Sequence, residues 1–97
     1  MVQGGGTVHY QPSPQTQAKY RALLMDYMHH LEEAVRGLNF DAVETIGHKI
    51  SGNAGLFGHA ELGQLAQELR MQVKVSSLRG IHAKFDEMLA YVKKNFP

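Results

Sequence analysis

NFDAVETIGHKISGNAGLFG, residues 39–58, reads as an amphipathic helix that carries an anomaly. Val43, Ile46, Ile50, Ala54 and Phe57, with Phe40 ahead of them, recur at three- and four-residue steps. At about 100° per residue those five side chains fall within about 80° of one another, an apolar stripe fit for a core. Asn39 is a good N-cap, Asp41 sits in the favourable first turn, and Gly58 can end the helix. The anomaly is Gly47, Gly52 and Gly55 in the interior. Each costs about 1 kcal/mol relative to Ala, together about 3 kcal/mol, a large part of a small domain's stability. With His48 set at zero, Gly52 lies at about 40° and Gly55 at about −20°, whereas the apolar stripe centres at about 180–200°. His48 therefore faces away from the core with bare backbone beside it, on a side shared by Asp41, Glu44, Thr45 and Ser51. Gly47 points to the flank of the core, where close approach of another helix explains it.

The pattern extends in both directions. A first helix over about Gln15–Arg36 places Tyr20, Leu23, Leu24, Tyr27, Met28, Leu31 and Val35 on one face, and Gly37 stands where a left-handed C-cap belongs. A third helix, about His59–Val75, carries Leu62, Leu65, Ala66, Leu69 and Val73. A fourth, about Ser77–Phe96, carries Leu78, Ile81, Phe85, Met88, Leu89, Val92 and Phe96, with Ser77 as N-cap and Lys93 and Lys94 at the C-terminal dipole end. Four amphipathic helices with short connections predict an all-α, antiparallel up-and-down four-helix bundle over residues 15–97. Residues 1–14, with Gly4–Gly6, Pro12 and Pro14 among polar residues, read as a flexible N-terminal lead-in, a linker or a cloning remnant.

Composition narrows the function. Ninety-seven residues, 43% of them hydrophobic and 20% charged, make one soluble globular domain. The net charge of +1 gives no basic face for nucleic acid or an acidic membrane, and no apolar run approaches the length of a membrane span. The absence of Cys removes disulfides, thiol catalysis and cysteine metal sites, and suits a reducing compartment. No phosphate-binding glycine loop, paired-carboxylate site or Ser/His/Asp arrangement can be argued, so a self-contained enzyme is not expected.

An outward imidazole beside missing side chains is open to a macromolecule rather than to a small ligand in a pocket. Imidazoles are largely neutral, and so nucleophilic, near pH 7. The string from His48 to Gly58, followed by Leu62, Leu65, Ala66 and Leu69, resembles the histidine-containing phosphotransfer (HPt) domain family. That pattern has an apolar residue two after the histidine (Ile50), Gly four after (Gly52) and Gly ten after (Gly58). Apolar residues follow at fourteen, seventeen, eighteen and twenty-one. The resemblance covers about residues 16–96. It implies a phosphoryl carrier of a two-component phosphorelay. His48 would accept the group from an aspartyl phosphate on a response-regulator receiver domain and pass it to another receiver. The receiver would supply the magnesium, so the chain itself would need no cofactor. It further implies a cytoplasmic monomer, standing alone or forming the C-terminal domain of a hybrid sensor histidine kinase.

The chain departs from the family at the phosphate's neighbours. Three after the histidine, where a basic residue is usual, stands Ser51, able to donate a hydrogen bond but not a charge. Lys49 is basic but about 100° round the helix. Arg70, twenty-two after the histidine, could reach the phosphoryl group from the third helix. Lys49, Ser51, Gly52, Gly55 and Arg70 are thus expected to neighbour the phosphate or the docked partner. A second reading is a four-helix interaction module that docks receivers without transfer. A third, a metal- or haem-binding bundle, has only the six His in its favour. Adjacent His29 and His30 point about 100° apart, His48 and His59 are separated by the break at Gly58, and His82 reads as a boundary residue.

Overall fold

The computed structural model describes residues 13–97. Helix α1 spans Pro14–Arg36, α2 Phe40–Asn53, α3 Ala60–Lys74 and α4 Leu78–Asn95, with a single 3-10 turn, Gly55–Phe57, between α2 and α3. Each helix packs on its neighbours in the chain and α4 returns against α1, an antiparallel up-and-down bundle. The expected lead-in falls largely on residues 1–12, which lie outside the described residues.

The ends of the helices follow from local chemistry. The side chains of Ser13, Asn39 and Ser77 accept from the backbone N–H of Thr16, Ala42 and Gly80, satisfying donors that the first turns of α1, α2 and α4 leave free. Pro14 occupies the first turn of α1, where no N–H is needed.

All three connections between helices close in the same way. The N–H groups of Asn39, His59 and Ser77 reach back to the carbonyls of Ala34, Ala54 and Gln72, each across a residue in the left-handed region. Those residues are Leu38 (φ 56°), Gly58 (φ 87°) and Ser76 (φ 55°). Gly37 is therefore not the left-handed cap expected of it: its φ is −86°, its N–H bonds the Glu33 carbonyl, and the reversal falls one residue later.

The core is apolar throughout. Tyr20, Leu24, Met28, Leu31, Ala34 and Val35 from α1 meet Val43 and Ile50 from α2, with Ala54 behind them. Leu62, Ala66 and Leu69 from α3 and Ile81, Phe85, Met88 and Val92 from α4 complete it. Among the described residues no polar or charged residue is buried. Leu23 and Leu78, expected on the core stripes, are exposed.

Candidate functional site

Helix α2 turns Val43, Gly47 and Ile50 inward and leaves Asp41, Thr45, His48, Lys49 and Gly52 exposed. Among the described residues no hydrogen bond or ion pair engages the His48 ring, which stands in solvent as its angular position requires.

The three glycines divide into two kinds. A Cβ on Gly47 would lie 3.1 Å from Arg70 Cγ and 3.7 Å from the Ala66 carbonyl oxygen, so this glycine lets α3 come close. Gly63 does the same from the other side, its Cβ position 3.6 Å from the Ser51 carbonyl oxygen and 3.7 Å from Ala54 Cβ. Among the described residues, nothing beyond the adjoining backbone lies within 4 Å of a Cβ on Gly52 or on Gly55. No packing among the described residues calls for their bareness.

The α-helix ends sooner than its periodicity implies. It stops at Asn53, and Gly55, Leu56 and Phe57 form the 3-10 turn, so the angle assigned to Gly55 from a continuous helix does not hold. Gly55 is nonetheless exposed, next to Leu56, which is 63% exposed. Phe57 swings inward, its ring stacked on Tyr20 at 4.2 Å between centroids.

The expected neighbours of the phosphate are arranged differently from the sequence expectation. Ser51 and Glu44 are half-buried rather than outward, because α3 flanks that side of α2. The Ser51 hydroxyl donates to the His48 carbonyl at 2.9 Å, so its hydrogen is already committed. Arg70 donates from Nε and Nη2 to Oε2 of Glu44, both at 2.9 Å, and from Nη1 to Oε1 of Gln67 at 2.9 Å. Lys49 is exposed and, among the described residues, enters no ion pair. Glu44 and Gln67, which hold Arg70, were not singled out from the sequence. Glu44 shares a face with His48 by spacing, but its pairing with Arg70 depends on how α2 and α3 are set against each other.

The other histidines lie apart. His59, at the N-cap of α3, is half-buried: its Nδ1 is 2.8 Å from the Tyr91 hydroxyl, and its ring lies 4.6 Å from that of Phe96. Burial holds its imidazole below the usual histidine value. His29 and His30 pair with Glu33 and Asp26 on the exposed face of α1, and His82 is exposed on α4. Among the described residues no three His, Cys, Asp or Glu side chains converge as metal ligands, and no helix is long and apolar enough to cross a membrane.

The family model of the Hpt domain matches residues 17–95. No curated protein and no solved structure matches the chain.

Proposed function

This chain belongs to the Hpt domain family, whose members carry phosphoryl groups in two-component phosphorelays, and on that premise we propose that His48 is its phosphoacceptor. The carrying observation is an exposed imidazole with Gly52 one turn on, a bare position that no packing among the described residues requires. A side chain on Gly52, one turn from the ring, would stand in the way of any large body approaching it.

The chemistry follows from that placement. The outer ring nitrogen of His48, Nε2, attacks the phosphorus of a receiver's aspartyl phosphate. The aspartyl O–P bond breaks with its electron pair left on the carboxylate, and an N–P bond forms; the reverse delivers the group to another receiver. The bundle contributes a nucleophile held by a capped helix, together with a docking surface around Gly52, Gly55 and Lys49. The magnesium that assists transfer belongs to the receiver. The domain works in the cytoplasm as a monomer, free or as the C-terminal domain of a hybrid sensor histidine kinase.

A receiver-docking module without transfer is the second reading, favoured by Ser51, which brings no charge and whose hydrogen is engaged. Incubation with a panel of phosphorylated receiver domains separates the two. Transfer predicts acid-labile phosphate on the wild type and none on His48→Gln, with His29, His30 and His82 substitutions behaving as wild type. Receiver binding with no phosphate moved selects the docking module.

A further inference from the structure

Three residues after His48 the helix offers no cation, and Lys49 lies on the flank away from α3, about 100° from the ring. The cation that α3 lays against this part of α2 is Arg70. Its stem crosses Gly47, the residue before His48, with Cγ 3.1 Å from the Cβ position there. Its guanidinium ends on Glu44, one turn before His48. Residues four apart on a helix are surface neighbours, with Cβ atoms about 5–6 Å apart, so Glu44 and His48 are neighbours on the surface of α2.

Glu44 is a poorly satisfied partner. Two of the Arg70 donors converge on its Oε2, while Oε1 is buried and, among the described residues, has no hydrogen-bond partner. A phosphoryl group offers nearly two negative charges and three acceptor oxygens, against a single charge and one engaged oxygen from Glu44. The guanidinium fork suits such oxygens, and a rotation about the outer bonds of its side chain turns it from one neighbour to the next.

Resting on the phosphoacceptor reading of His48, we propose that Glu44 is a latch that holds Arg70 in the unphosphorylated domain and yields it to the phosphoryl group on His48. Arg70 then supplies from α3 the charge that Ser51 does not supply from α2. Glu44 is a positioning residue, and its side chain sets how far the relay equilibrium lies toward phosphohistidine. Only the guanidinium moves: no proton leaves Arg70, and the N–P bond is that of the transfer itself.

The test is a double-mutant cycle read by the ratio of phosphohistidine to aspartyl phosphate at equilibrium with a receiver domain that loads the wild type. That ratio depends on the free partners alone, so defects of docking do not enter it. Arg70→Gln lowers the ratio about tenfold, the scale of one charge-assisted hydrogen bond, and Arg70→Lys recovers part of the loss. Glu44→Gln raises the ratio about threefold by freeing Arg70, and this gain vanishes in the Arg70→Gln background. Both single variants lose the same ion pair and soften together in thermal melts, so a merely structural role would move the ratio the same way in each. A Glu44→Gln gain that persists without Arg70 overturns the latch in favour of direct repulsion between carboxylate and phosphate. An unchanged ratio in Arg70→Gln overturns it as well. A wild type that no receiver loads overturns the phosphoacceptor reading beneath it.

Discussion

Tyr20 of α1 lies flat on Phe57 of the 3-10 turn, the rings 4.2 Å apart and 6° from parallel. The contact ties the segment that follows the His48 helix to the first helix of the bundle. The Tyr20 hydroxyl is buried and, among the described residues, has no hydrogen-bond partner. Burial pushes that hydroxyl up to about 12 from 10.0. Tyr20→Phe keeps the stack and removes an unsatisfied donor, so it is expected to raise the melting temperature at neutral pH, by the equivalent of about 1 kcal/mol. The unfolded chain ionises at lower pH than the folded one, so the wild type loses stability above pH 10.0. The variant lacks that part of the loss, which melts at pH 8 to 11 would show.

Gly52 sets stability against function. Among the described residues nothing beyond the helix's own backbone lies within 4 Å of a Cβ there, so Gly52→Ala gains helix propensity, about 1 kcal/mol, without a clash. The phosphotransfer reading expects the stabilised protein to accept phosphate more slowly from a receiver, and Gly52→Glu more slowly still with helicity nearly unchanged. Urea melts alongside transfer time courses check both halves. Transfer at wild-type speed in Gly52→Glu would mean that the bare strip has another purpose.

Gly47 has the opposite prospects. The Arg70 stem stands 3.1 Å from its Cβ position, so Ala fits after a shift of a few tenths of an ångström. The propensity gain of about 1 kcal/mol and the crowding then nearly cancel. Val adds branches that push Arg70 off and part α2 from α3, at a cost of about 2–3 kcal/mol in urea melts.

His59 should govern acid stability. Burial holds its imidazole below the ordinary 6.5, so on acidification the unfolded chain takes up this proton first. The stability it contributes is complete above pH 6.5 and drains as the pH falls below that value. His59→Phe keeps the aromatic packing with Phe96 and Tyr20 and removes the titration, so its melting temperature should fall less between pH 7 and pH 5 than that of the wild type.

What was legible in the chain was what is local. The caps at Asn39 and Ser77, the turn of the stripe every 3.6 residues and the outward angle of His48 depend on neighbours within a turn or two, and the structure has them. What escaped depends on how helices meet. Glu44 and Ser51 are half-buried because α3 lies beside them, and Arg70 is on Glu44 because Gly47 opens a path for its stem. The short α2 escaped for a related reason. Ala54 and Phe57 continue the apolar spacing, and a 3-10 turn delivers Phe57 to Tyr20 almost as a helix would. At Gly37 the expectation fails: the left-handed residue is Leu38, one position later, and it is not a glycine.

Of the three reversals that join the helices, only the one after the His48 helix places glycine at the left-handed residue; Leu38 and Ser76 hold the same geometry at the opposite end with side chains that disfavour it. The fold therefore holds slack at the end of the bundle away from Gly58. Relaxing either corner would add resilience that a designer could draw on to carry harmful replacements along the exposed face of α2, so the two ends of this bundle can be altered one to rescue the other.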